Sequence, residues 1–98
     1  MNERGDTDPV RVTLELRDHC VGTAARHELR RVEGYLLSMT EDDPRYPPLA
    51  SAHDLLGRFL EQTDLPELRA SRPELDGHLA VRVQISETAS GEFVIEVL

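Results

Sequence analysis

The chain has 98 residues, 39% of them apolar, and its 19 acidic and 11 basic side chains give a net charge of −8. This length predicts one domain with a single core layer. A surface this negative repels nucleic-acid phosphates and anionic lipids, so we expect neither nucleic acid nor membrane as a partner.

The N-terminal part predicts a lead-in followed by a strand. Residues 1–9 are polar and charged, which predicts a disordered lead-in, and the single folded domain is expected to span residues 10–98. In residues 10–16 apolar and polar side chains alternate, which is the period-two pattern of a strand with one buried face.

The middle of the chain has helical periodicity. Residues 21–40 predict an amphipathic helix with Thr23 as its N-cap. Pro44 disfavours helix just before it, and a second helix is expected to run to about Gln62. Residues 64–67 and 71–74 both match a capping box at the start of a short helical turn. The apolar stripe of the first helix comprises Ala25, Leu29, Val32, Leu36 and Met39.

The last twenty residues predict an antiparallel hairpin. Matching the inward-facing side chains of its two strands fixes only the parity of the register. One such register places Arg82 opposite Glu96 and the turn within residues 87–91. It pairs Ile85 with Phe93, Val83 with Ile95 and Val81 with Val97. The order of the strands stays open, because the first strand can join either member of the hairpin.

These elements predict an α+β fold. Two main helices would cover one face of a three-stranded sheet, in the order β-α-α-β-β, as a two-layer sandwich. The expected core unites eight residues from both layers: Leu29, Val32, Leu36, Leu56, Phe59, Val81, Val83 and Ile95.

Reactive side chains form no recognised site in the sequence. His19, Cys20 and His27 are the densest group of metal ligands, but no second ligand pair closes a tetrahedral site. Cys20 lacks an oriented base and an oxyanion site, and no glycine-rich phosphate loop is present. We therefore predict no catalytic residue, no metal and no cofactor, and a protein that is not an enzyme.

Acidic residues are concentrated in one part of the chain. Residues 41–76 hold nine acids and four arginines, a net charge of −5. Glu41, Asp42 and Asp43 follow a helix C-terminus, where the helix dipole disfavours negative charge. This placement favours a ligand for the three carboxylates, either a cation or an Arg-rich protein partner, and the other interpretation is a solvated acidic loop; the predicted function uses the basic protein partner.

The outer face of the hairpin predicts a second contact region. Ala80, Val94 and Leu98 are apolar side chains on a face built otherwise from charged residues, as in a small interface with a charged rim. An unblocked strand edge lies beside them. Both features predict a homodimer formed through the sheet.

The sequence as a whole favours a small acidic interaction protein. Its size, acidity and mixture of helices and strands are similar in composition to small bacterial immunity and antitoxin proteins. We predict an adaptor, inhibitor, antitoxin or immunity-type partner of a basic protein surface. The alternative is a small enzyme or ligand-binding domain with a pocket between helices and sheet. The lone cysteine, the polar N-terminus and the lack of a membrane-length apolar run predict a cytoplasmic location.

Overall fold

Three strands and three helices follow one another in a computed structural model that describes residues 10–17, 20–75 and 81–98. The predicted lead-in, residues 1–9, lies outside the described part. The elements are β1 (Arg11–Leu16), α1 (Val21–Leu37), α2 (Tyr46–Gln62), α3 (Leu65–Ser71), a 3-10 turn (Pro73–Leu75), β2 (Val81–Glu87) and β3 (Phe93–Val97).

The strands form one antiparallel sheet in the order β1-β2-β3, so the second hairpin strand does not meet the first strand of the chain. Burial alternates along β1, because one face of the sheet packs on the helices and the other faces solvent. The predicted α+β fold, with helices on one face of a three-stranded sheet, is confirmed.

The core lies between the sheet and the helices. Five of the eight predicted core residues are buried, whereas Leu29, Leu36 and Val81 are only half-buried. Leu36 is further along α1 than the last buried position of that helix, Val32, so its environment is partly solvent. The largest fully buried side chains are Phe59, Leu16, Leu55, Leu56, Leu75, Ile85, Val21, Val32 and Val83.

The hairpin register differs from the predicted one by two residues. Ile85 pairs with Ile95 and Val83 with Val97, so the parity was right and the partners were wrong. The reason is the turn: Gly91 has a φ of +91° and its N–H donates to the carbonyl of Thr88. A three-residue loop that ends in a left-handed glycine fixes this register.

The helix ends differ from the prediction in three details and match it in one. The first helix stops at Leu37 instead of residue 40, and Cys20 takes the N-cap position expected of Thr23, without a side-chain cap bond. Asp64 caps α3 as predicted, because its Oδ1 accepts from the Glu67 N–H at 3.1 Å. Ser71 caps nothing in the second box, since its hydroxyl donates back to the Leu68 carbonyl.

Candidate protein-interaction surface

The connection between α1 and α2 projects beyond the core. Val32 is the last buried residue of α1 and Leu55 the first of α2, and every residue from 33 to 54 is exposed or half-buried. We call residues 33–54, at the turn of the helical hairpin formed by α1 and α2, the hairpin tip; it is separate from the β2–β3 hairpin. Because the tip contributes no fully buried side chain, its composition is not dictated by the core.

An apolar groove lies in the hairpin tip. It has a volume of about 410 Å³ and is lined by Glu33, Leu36, Leu37, Tyr46 and His53. The Leu37 side chain is 89% exposed and that of the neighbouring Tyr35 is 46% exposed. Scattered exposed apolar residues are ordinary, and Tyr35 does not line the groove; Leu37 combines high exposure with a place in the groove, which makes it a candidate contact residue.

The two helices are held together at this groove. Nε2 of His53 on α2 lies 2.9 Å from Oε2 of Glu33 on α1. On the other side of α1, the Arg31 guanidinium lies 5.5 Å from the centre of the Tyr35 ring and is bound by Glu28. Of these contacts, the one between Glu33 and His53 joins two residues that line the groove.

The acidic loop is ordered by one of its own carboxylates. Asp43 accepts hydrogen bonds from Nε and Nη2 of Arg45, at 3.0 and 2.8 Å, and from the Arg45 backbone N–H at 2.9 Å. The side-chain hydrogen bonds from Arg45, followed by the backbone bond, lower the pKa of the Asp43 carboxyl to about 2. Asp43 therefore holds the loop together.

Glu41 and Asp42 have a different environment. Both are exposed, and neither forms an ion pair with another residue of the described chain. They lie in the loop that follows the helix carrying Leu37, so the hairpin tip joins unneutralised carboxylates to an apolar groove. The sequence identified these two acids but missed the groove. Three consecutive bulky apolar residues at 35–37 were the available signal, because they span more of the helix circumference than one buried stripe can cover.

Three further acids, Asp54, Glu61 and Glu74, do not extend this surface. Asp54 and Glu74 are paired with Arg58 and Arg72. Glu61 lies at the opposite end of α2, a helix of 17 residues and therefore about 25 Å long. The acidic segment of the sequence is thus divided: Glu41 and Asp42 precede α2, and Glu61 lies at its far end.

The outer face of the hairpin shows part of the predicted apolar patch. Val94 is 37% exposed and Leu98 is 63% exposed, while Ala80 lies outside the described residues. The corrected register changes their neighbours: the Leu98 N–H donates to the carbonyl of Arg82 at 2.8 Å. Arg82 binds Glu15 of β1 at 2.9 Å instead of facing Glu96.

A second groove contains charged side chains. It has a volume of about 410 Å³ between α2 and the sheet, and Arg58 in it binds both Asp54 and Glu87. The hydrogen bond from Arg58 lowers the pKa of the Glu87 carboxyl. The Arg58 guanidinium also lies 5.9 Å from the centre of the Phe93 ring. The Arg58 guanidinium is therefore already bound by side chains of the protein itself.

Cys20 is half-buried at the start of α1. Burial works to raise the pKa of its thiol, but the hydrogen bonds from Thr23 and the charge of Arg69 outweigh burial and lower it. Across residues 10–17, 20–75 and 81–98, no group of three or more His, Cys, Asp or Glu side chains could hold a metal ion. His19 lies outside these ranges. None of the described helices has the length and apolar character needed to cross a bilayer.

The architecture and the surface together define a small α+β domain with a solvent-facing helical hairpin. The chain belongs to a protein family whose model matches residues 10–96. It is similar to an uncharacterized protein of Archaeoglobus fulgidus, with 35% identity over 85 residues, which cover 87% of this chain and 95% of the relative. No solved structure matches the chain.

Proposed function

We propose that this protein is a small non-enzymatic interaction domain, of the adaptor, inhibitor, antitoxin or immunity type, that binds a basic protein surface through its hairpin tip in the cytoplasm. The observation that carries the proposal is the apolar groove beside Leu37 with Glu41 and Asp42 in the adjoining loop. Interfaces combine an apolar centre with a polar rim in this way.

The charge of the hairpin tip specifies the chemistry of the partner. Residues 33–54 contain five acids and one arginine, a formal net charge of −4, and Asp54 among these acids is paired with Arg58 outside the range. The arginine within the range, Arg45, is bound to Asp43. A partner with Lys or Arg side chains around one protruding apolar side chain would match both the rim and the groove.

The groove and the rim have separable roles. Leu37 contributes apolar area that would be buried on binding and would mainly slow dissociation. Asp42 contributes charge that accelerates encounter over about a Debye length, roughly 8–10 Å at physiological salt. The two side chains therefore allow two independent tests on the same surface.

The first test uses a library of displayed random peptides about 16 residues long, selected on the intact immobilised protein. We expect selected peptides to be rich in Arg, Lys and large apolar residues. Leu37→Ser should weaken binding of a selected peptide about tenfold or more, since burying a leucine contributes roughly 1.5–3 kcal/mol. Leu37 is exposed, so the substitution leaves the fold intact.

The second test measures association rates at two salt concentrations. Asp42→Arg should slow association at low salt, and the difference from the wild type should shrink as salt rises. Glu61→Arg is the matched control, because it makes the same change in net charge at the far end of α2. Selection of neutral or acidic peptides, or wild-type affinity in Leu37→Ser, would contradict the proposal.

The ligand-binding alternative has one specific observation in its favour. The groove at Arg58 has the size and the polar lining expected of a small-molecule site, and it lies between a helix and the sheet. An anionic ligand would have to displace Asp54 or Glu87 from Arg58. A thermal-shift screen with small anions tests this, and a ligand whose stabilising effect is lost in Arg58→Gln would favour the alternative.

A further inference from the structure

The backbone hydrogen bonds of the β2–β3 hairpin show which residues at each edge of the sheet point their N–H and C=O groups outward. The Thr88 N–H donates to the Glu92 carbonyl, and the Leu98 N–H donates to the Arg82 carbonyl. Even-numbered residues of β2 therefore face β3, and by the alternation of antiparallel ladders the odd-numbered residues face β1. Because Leu14 pairs with Val83, the even-numbered residues of β1 face β2. The backbone groups of Arg11, Thr13 and Glu15 point away from the sheet.

The β3 edge is already occupied near its middle. Ile95 is odd-numbered, so its carbonyl points away from β2, and it accepts a hydrogen bond of 2.6 Å from Nη1 of Arg72. Glu74 holds the same guanidinium through Nε at 3.0 Å. A side chain bound to an edge in this way obstructs the addition of another strand.

The β1 edge carries no such obstruction within the described chain. Beside it lies a groove of about 290 Å³, with Thr13 and Leu14 on one wall and Ala24 and Glu28 of α1 on the other. This groove gives the inward side chains of an added strand room next to α1. The outward-pointing backbone groups and the groove together suit strand addition.

The residues on this edge are complementary to themselves. If two copies pair antiparallel about a two-fold axis at Thr13, Arg11 of each copy lies opposite Glu15 of the other. The three resulting residue pairs all have outward-pointing N–H and C=O groups, so the ladder would gain about six backbone hydrogen bonds. Arg11 forms no ion pair with the described residues of its own chain, whereas Glu15 binds Arg82 at 2.9 Å.

The charge around β1 also suits a second copy. Arg17 and Arg82 both lie beside Glu15, at 3.7 and 2.9 Å, so arginines are close to this strand in a chain of net charge −8. In the two-fold arrangement the charged residues brought directly opposite each other are Arg11 and Glu15, which carry opposite charges, so the contact adds no like-charge pair of opposing residues.

We propose that the protein forms a symmetric dimer by antiparallel pairing of its β1 edges, with Arg11 of each copy bound to Glu15 of the other in a continuous six-stranded sheet. This interface is distinct from the hairpin tip and does not depend on the function proposed for it. It also differs from the outer-face contact through Val94 and Leu98 that the sequence predicts.

The test is sedimentation equilibrium of the full chain at about 50 µM. The wild type should be a dimer. Arg11→Glu should raise the dimer dissociation constant at least about tenfold, since it places like charges opposite each other twice. Arg26→Glu is the matched control, because Arg26 lies on the side of α1 away from the β1 groove and the change in net charge is the same.

A charge exchange makes the test specific. Arg11→Glu and Glu15→Arg should each be monomeric alone, and an equimolar mixture should form a heterodimer, because the mixture restores both opposite-charge pairs. Glu15→Arg also loses the contact with Arg82, so its folding is checked by circular dichroism. Should that variant not fold, Thr13→Pro replaces it, because the Thr13 N–H takes no part in pairing with β2 and its loss should weaken the dimer without breaking the sheet.

Three results would overturn the proposal. A wild type that is monomeric at 50 µM would show that the edge stays unpaired or accepts another partner. Equal dimerisation of Arg11→Glu and Arg26→Glu would exclude the β1 edge, and dissociation by Val94→Arg with no effect of Arg11→Glu would place the contact on the outer face. Because Leu37 and Asp42 lie outside this edge, failure here leaves the peptide-binding tests of the hairpin tip unaffected.

Discussion

The side chain of Phe59 should contribute more to stability than any other on α2. It is fully buried, and its ring makes an edge-to-face contact with Phe93 of β3, with 5.6 Å between the ring centres and 79° between the planes. Truncation of a buried phenylalanine to alanine costs about 3–5 kcal/mol. The total stability of a small domain is about 5–15 kcal/mol, so Phe59→Ala should lose a large fraction of it.

Phe93 provides the comparison within the same contact. Its side chain is only half-buried, so Phe93→Ala should cost about half as much, roughly 1.5–2.5 kcal/mol. A double-mutant cycle between the two positions should give a coupling of about 0.5–1.5 kcal/mol for the aromatic pair. Urea unfolding followed by circular dichroism measures all four proteins. A loss below about 1 kcal/mol for Phe59→Ala, or equal losses at the two positions, would refute this account of the core.

Three further predictions concern local contacts. Asp64→Ala should cost about 1 kcal/mol in urea unfolding, because it removes the acceptor of the Glu67 N–H at the start of α3, and Asp64→Asn should retain most of that stability. Gly91→Ala should cost about 1 kcal/mol or more, since φ is +91° there, and Gly91→Asn should cost less. Arg45→Gln should raise the pKa of Asp43 from about 2 toward its ordinary value, which carboxyl NMR titration can follow. Because this pKa is lower in the folded chain than in the unfolded one, the contact stabilises the fold above about pH 4 and is lost as pH falls toward 2; an unchanged titration in Arg45→Gln would contradict this.

Periodicity predicted the strands and the two long helices with most of their buried residues, while Pro44 and the capping boxes predicted the helix boundaries and the short helical turns. The alternation in β1 and the inward positions of α2 were enough, because each element must bury one apolar face against the other layer. Alternation has a period of two, so it could not distinguish the observed pairing of Ile85 with Ile95 from a slip of two residues. Gly91 contained the missing information, because a left-handed residue at the end of a three-residue loop fixes where the strands begin.

The candidate surface was only partly predictable for a different reason. Glu41 and Asp42 are polar and had to lie on the surface, so their exposure followed from their type. Leu36 and Leu37 belong to the same helix as the core residue Val32, and helical periodicity does not show how far a helix extends beyond the sheet that it covers. The exposure of Leu37 depends on that tertiary relation between α1 and the strands.

The pairing of β1 with β2 has a consequence for the order of folding. Leu16 pairs with Val81 and Arg11 with Ser86, so every contact of this ladder closes a loop of roughly 65–75 residues. The two long helices and the β2–β3 hairpin are local in sequence, so we predict that they form first and that β1 joins the sheet after them. Val12→Ala should therefore accelerate unfolding with little effect on the folding rate, the signature of a strand absent from the transition state. During synthesis β1 leaves the ribosome before β2, and the pairing of the two strands cannot be complete until the last residues of β2 have followed.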